Sequence, residues 1–263
     1  VDHQADDQQR RQDLQRLVNQ LTRMQTIERL PEAPTLRIAR RRGPIEIDGD
    51  LSDPAWDAAA PIKLRWDYIH PVDGEPVATA RLLWDRYHLY VRYDVPDAQL
   101  LAPAFARDGA VAHHDCVELF VSGRKQAGAY WELNFSPSGS VVDVRADKHA
   151  DAWGSEFNPD ATLAGFKRAV TVQGTVNDAS DTDTGYQVEL AVPFTSLPDM
   201  PSEVEAGRKL WLMLAYADRD AQTNGLPAYR GHTPFPAWLH NIEAWSEARL
   251  VNGEATQKAE ADK

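Results

Sequence analysis

A single cysteine, Cys116, means that no disulfide can form within this chain, so a buried apolar core must stabilise it. No apolar run approaches the roughly 18 residues of a membrane-spanning helix. Positive charge is scarce: 28 Lys and Arg against 40 Asp and Glu leave a formal charge of −12. That balance argues against a nucleic-acid or anionic-membrane partner, because phosphate binding relies on clustered Lys and Arg. The one dense basic run, Arg40-Arg41-Arg42, reads as a solvated linker edge. No His-x-x-x-His or Cys-x-x-Cys spacing occurs, so a catalytic zinc or copper site has no support. The first residues carry no signal-peptide pattern. An opening at Val1 without Met reads as a mature or trimmed chain, which leaves secretion open.

What the chain does have is length and rings. Its 263 residues allow one large β domain or two small ones, with a sizeable core. Eight Trp, eight Tyr and seven Phe are spread along it. Trp and Tyr pair an apolar ring with a polar tip and suit ligand platforms as well as cores.

Residues 1–34 differ from the rest. Gln, Arg and Asp dominate, and Leu14, Leu17, Val18, Leu21 and Met24 recur at helical spacing, which predicts an amphipathic α-helix ended by Pro31 and Pro34. Its expected use is docking on the main domain, with a homodimer contact as the alternative. From Leu36 the pattern changes to short alternating runs broken by turn residues. Ile45-Glu46-Ile47 leads into the turn Asp48-Gly49-Asp50, and Asp53-Pro54-Ala55-Trp56 reads as a helical turn. Runs at 80–84 and 88–95 form a predicted hairpin. Further strands are read at about 116–122, 129–135, 140–145, 165–176, 186–192, 209–217 and 247–251, with Leu210 to Tyr216 apolar on both faces and therefore central. About ten short strands without long helices predict an antiparallel β-sandwich over 35–252, preceded by the helix and followed by a polar tail at 253–263.

Two of these strands carry the chemistry. Asp115-Cys116-Val117-Glu118-Leu119-Phe120 sets two acids among apolar residues, and Ala129-Tyr130-Trp131-Glu132-Leu133-Asn134-Phe135 alternates rings with Glu and Asn. Period-two alternation lets one face feed a core while the other holds carboxylate and amide groups beside rings, as a small polar ligand such as a sugar requires.

Ile47-Asp48-Gly49-Asp50-Leu51 with Trp56, then Ala80-Arg81-Leu82-Leu83-Trp84-Asp85 and Leu89-Tyr90-Val91, resemble the opening of family 9 carbohydrate-binding modules. The stretch Asp115 to Phe120 resembles that family's Asp-x-Val-Glu-x-Phe strand, Gly185 to Phe194 its late strand, and Leu239 to Leu250 its closing segment. The resemblance covers residues 36 to 252. It implies a β-sandwich related to DOMON domains, a secreted, periplasmic or cell-surface setting beside glycan-degrading domains, and structural Ca²⁺ without an organic cofactor. It also implies that a sugar is held between Trp rings with a Glu on its hydroxyls. Glu118 stands where that Glu is, and Trp238, seven residues before Trp245, where the second ring is. Ala112 occupies the first ring's place; Glu132 stands where the family has a sugar-facing Arg, while Asn134 matches.

The expected ligand contacts are therefore Glu118, Asn134 and Trp238, with Glu132, Trp153 and Tyr229 as looser candidates and Arg219 and Arg230 as partners for an acidic sugar. Trp56 and Trp84 are assigned to the core. Calcium would take oxygen ligands from Asp, Glu, Asn and backbone carbonyls, among which Asp residues in turns are many, with no particular set singled out. One alternative treats Glu118 and Glu132 as the carboxylate pair of a glycan-cleaving enzyme. Another is haem held by Met200 or Met213 with a His or Lys. His113, His114, His149, His232 and His240 are also present, but neighbouring His residues on a strand would point to opposite faces.

Overall fold

The computed structural model describes residues 31–68, 70–72, 77–125, 129–148, 156–158, 160–223, 226–235, 239–254 and 256–258. Two compact units divide the chain, residues 1–32 and 33–263. The helix expected over 1–34 falls almost wholly outside the described residues. Pro31 to Pro34 carry no regular structure and lead directly into the first strand.

The second unit is all-β. It opens with β1 (Thr35–Arg40), a 3-10 turn at Pro54–Ala58, and three two-residue strands, β2 (Ile62–Lys63), β3 (Trp66–Asp67) and β4 (His70–Pro71). The hairpin β5 (Thr79–Trp84) and β6 (His88–Pro96) follows, then β7 (Cys116–Ser122), β8 (Tyr130–Phe135), β9 (Val141–Lys148) and β10 (Glu156–Asn158). The chain continues through β11 (Lys167–Gln173), β12 (Gly185–Pro193), the long β13 (Lys209–Thr223), β14 (Leu226–Gly231), β15 (Ser246–Val251) and β16 (Thr256–Lys258). Among the described residues these 16 strands form one hydrogen-bonded sheet whose main path runs β10-β9-β8-β7-β13-β15-β1-β5-β6-β12-β11, with β2, β3, β4, β14 and β16 attached beside it.

One half of that order folds over the other. Val117, Leu119 and Val121 of β7 and Leu133 and Phe135 of β8 share a core with Val91 and Tyr93 of β6 and Val188 and Leu190 of β12. The Tyr93 hydroxyl crosses that core and donates to the Glu118 carbonyl at 2.9 Å. The result is a sandwich whose layers stay joined through β15 and β1, and β1 runs parallel to both its neighbours β15 and β5. The central place read for Leu210–Tyr216 is where β13 lies, between β7 and β15, with Leu212 and Leu214 in the main core and Met213 and Ala215 in a second cluster behind it.

The motif residues act as framework. Trp56 Nε1 donates to Glu189 Oε1 at 3.0 Å and the Gly49 amide to Glu189 Oε2 at 3.2 Å, so the early turn is pinned on β12. Trp84 Nε1 donates to the Val251 carbonyl at 3.1 Å and ties β5 to the closing strand. Both rings are buried, as assigned. The sequence reading differs from the structure chiefly in small pieces. The five strands of two or three residues have no room to display alternation, and β14 alternates poorly. Within the tail, Thr256–Lys258 adds β16 antiparallel to β1.

Candidate functional site

β7 and β8 pair so that Glu118 lies opposite Asn134 and Phe120 opposite Glu132. Since Val117, Leu119 and Val121 face the main core, Glu118 and Phe120 fall on the other face, where β13 sets Ala215 and Met213 beside them. The segment after β14 covers this face. Phe235, Leu239, Ile242 and Trp245 pack there on Phe120, Tyr130 and Met213. The cover is incomplete and leaves a pocket of about 300 Å³ lined by Glu118, Glu132, Phe120, Tyr229, Phe235 and His240, with Tyr68, Ala112, His113, Leu226 and Leu239 completing the wall.

Polar contacts inside this pocket are few and organised. Asn134 Nδ2 donates to Glu132 Oε1 at 2.9 Å. His240 Nε2 lies 3.6 Å from Glu132 Oε2, and its Nδ1 is 2.7 Å from the Tyr130 hydroxyl. The His240 ring meets Phe120 edge-on, with centroids 4.9 Å apart. Glu118 is 2% exposed, and its Oε1 has no hydrogen-bond partner; nor has the buried Asn134 Oδ1. Burial and then the neighbouring Glu132 push the Glu118 carboxyl well above the usual carboxylate range. Burial raises Glu132 to about 7, against the pull of the Asn134 hydrogen bond. Carboxyls that resist ionisation inside a pocket are a kind of group that concentrates at binding and chemical sites.

Aromatic side chains form much of the remaining wall. The Tyr229 hydroxyl donates to the Ala112 carbonyl at 2.7 Å and so fixes its ring beside the gap that Ala112 leaves. Tyr68 is 40% exposed, sits at a φ of 53°, and tilts against Phe235 with centroids 5.1 Å apart. A bulky residue in the left-handed region costs backbone energy and is kept where the surroundings hold it. Here the Tyr68 carbonyl accepts the Phe235 amide at 2.8 Å.

The structure thus brings Glu118, Glu132 and Tyr229 into one pocket, with Asn134 directly behind. Trp238 and Trp153 lie outside the described residues, as does His149. Arg219 and Arg230 are not among the pocket's lining residues. The Arg219 amide donates to Asp115 Oδ1 at 2.6 Å, and the Arg230 guanidinium donates to the Tyr216 hydroxyl at 2.7 Å. Sequence reasoning missed Tyr68, Phe235 and His240 as lining residues. Strand parity would have put Phe120 beside Glu118, but the other three come from irregular segments. His113 ends a 3-10 turn at Val111–His113 rather than standing in a strand. His232 is buried, with Nε2 2.8 Å from the Ser246 hydroxyl, and burial lowers it to about 4.

The buried acids Asp115 and Asp183 are already hydrogen-bonded within the fold. Asp115 accepts the Leu101 and Arg219 amides, and Asp183 accepts those of Leu100 and Thr175, so their oxygens are already engaged. Among the described residues no three His, Cys, Asp or Glu side chains converge on a point that could hold an ion. Of the two methionines considered for haem, Met213 is core and Met200 packs beside the Arg208 guanidinium.

The model of the family described as "Carbohydrate family 9 binding domain-like" matches residues 47–251. The fold resembles that of a family 9 carbohydrate-binding module from Caldicellulosiruptor kristjanssonii in complex with cellotriose, at 16% identity and a TM-score of 0.58, over 83% of this chain and 95% of the other. The glucose complex from the same organism gives 16% identity and a TM-score of 0.57, over 86% and 98% of the two chains. In sequence, the exoglucanase XynX of Acetivibrio thermocellus is 30% identical over 151 residues, which are 57% of this chain and 12% of that enzyme.

Proposed function

This chain belongs to the carbohydrate family 9 binding domain-like family, and on that premise we propose that its aromatic pocket binds a sugar unit of a polysaccharide or oligosaccharide. The observation that carries the reading is Glu118 and Glu132 lining a pocket of about 300 Å³ together with Phe120, Tyr229 and Phe235. A sugar has a polar rim and an apolar C–H face, so it needs rings for stacking and a few fixed hydrogen-bond groups. The volume is near the lower end for small-molecule sites and suits a single ring of a chain. Glu118 Oε1, buried and unpartnered, is an acceptor for a sugar hydroxyl. Trp238 is supported as a platform by its position in sequence between Phe235 and Leu239, both in the lining. Tyr68 takes a second ring role at the mouth.

The relatives' settings favour service to polysaccharide degradation, with an extracytoplasmic location as part of the same reading. The family is one of binding domains, which favours retention of a glycan over its cleavage by the Glu118–Glu132 pair.

A glycan array followed by calorimetry tests the proposal. The wild type is expected to retain a defined glycan, and Trp238→Ala and Phe235→Ala are each expected to weaken it roughly ten-fold or more, at about 1.4 kcal/mol per decade. No retained glycan, or unchanged affinity in both variants, overturns the site. Calcium is kept as a structural proposal that would draw on backbone carbonyls. Melting with EDTA and with added CaCl₂ decides it: a Tm that rises with the ion supports calcium, and an unchanged Tm rejects it.

A further inference from the structure

Glu118 and Glu132 are diagonal neighbours on one face of the β7–β8 pair, and both line the same pocket. The direct cross-strand partner of Glu118 is Asn134, which spends its amide nitrogen on Glu132. Two buried oxygens, Glu118 Oε1 and Asn134 Oδ1, are left without a donor. Among the described residues the lining contains no Lys or Arg, and the nearest basic group to Glu132 is the His240 ring at 3.6 Å. Phe120, Tyr229, Phe235 and Tyr68 supply rings around these carboxyls.

We propose that the pocket selects a ligand carrying a protonated amine, which on the sugar-binding reading it rests on is an amino sugar. An ammonium brings three donors to a site short of donors, its bonds to carboxylates are charge-assisted, and ring faces attract it. A neutral sugar satisfies the acceptors but leaves the carboxyl pair without a counter-charge. A uronic acid adds a third carboxyl to two that already repel each other. Supporting this, burial raises both groups, Glu132 to about 7, and the neighbouring Glu132 raises Glu118 further, so a bound cation would draw a proton from the pair. The groups that face them are His240 and Asn134 at Glu132, Tyr93, Tyr229 and Cys116 near Glu118, and His113 in the wall.

Calorimetry on the full chain at about pH 7, in two buffers of different ionisation heat, compares glucosamine, glucose, glucuronic acid and cyclohexylamine. The expected order is glucosamine roughly ten-fold tighter than glucose, with glucuronic acid weakest, and protons released on glucosamine binding. Glu132→Gln is expected to bring glucosamine level with glucose, and Glu118→Gln to reduce the preference as well. Equal affinities for glucosamine and glucose in the wild type, or a preference unchanged in both variants, overturn the inference and leave the sugar reading standing. Binding of cyclohexylamine with none of the three sugars keeps the cation site and overturns the sugar reading. No binding by any of the four overturns both.

Discussion

The Glu132→Gln variant is expected to unfold about 10 °C above the wild type at pH 8 and at the same temperature as the wild type at pH 4. The cause is proton linkage. Burial raises the Glu132 pKa from 4.5 to about 7, so between those values the folded protein holds a proton that the unfolded chain releases. Stability from this group is therefore full below about pH 4.5, falls as pH rises through 7, and is lost beyond it. The rise is worth roughly 3 kcal/mol, an upper value because 14% of the side chain remains in water. Glutamine keeps the shape and can still accept the Asn134 bond, but it cannot ionise, so its gain appears only at high pH. Glu118, raised by burial and by Glu132, should give a variant with the same sign. Groups that titrate elsewhere, such as Asp115 at about 8, are common to both proteins and cancel in the difference. Thermal melts across the pH range check this, and a gain equal at both pH values, or none at pH 8, would refute the assignment of a buried carboxyl with a raised pKa.

That pair shows what the sequence could carry. Alternation in Asp115–Phe120 and Tyr130–Phe135 is enough to give the strands and their parity, hence that Glu118 and Glu132 share a face. It does not give register, because a two-residue slip preserves parity while moving Glu132 along the ladder. Asn134 opposite Glu118 is a property of the β7–β8 connection, which no local pattern encodes. The rest of the site was less legible for a different reason. Tyr68, Phe235 and His240 belong to irregular backbone placed by contacts far apart in sequence, such as the Phe235 amide on the Tyr68 carbonyl. Aromatic content signalled that rings were available; only folding decides which of them line the pocket. Trp56 and Trp84 were readable as core because each sits in a motif whose partner, Glu189 or the Val251 carbonyl, is itself part of the framework.

Gly185→Ala is expected to destabilise the protein by about 4 kcal/mol or more, a large share of the roughly 5–15 kcal/mol that holds a domain folded. Gly185 opens β12 opposite Pro96 of β6, with φ at 133°, a conformation that side-chain-bearing residues rarely adopt. A Cβ there would stand 2.0 Å from the Val95 carbonyl oxygen and 2.9 Å from Pro96 Cα, both backbone atoms that cannot swing aside. Relief requires β12 to move off β6, and β12 carries Val188 and Leu190 into the main core and holds Glu189 beneath Trp56. The strain would therefore spread through the layer opposite the pocket rather than stay at one turn. In sequence this glycine is the first residue of a run that otherwise alternates without interruption, and a glycine in such a place signals close backbone approach. Gly253→Ala is the matched control, since nothing lies within 4 Å of its would-be Cβ. Chemical denaturation of both variants separates the cases: loss confined to Gly185→Ala supports the register of β6 on β12, whereas a Gly185→Ala protein as stable as the control would mean that the two strands do not meet in this way.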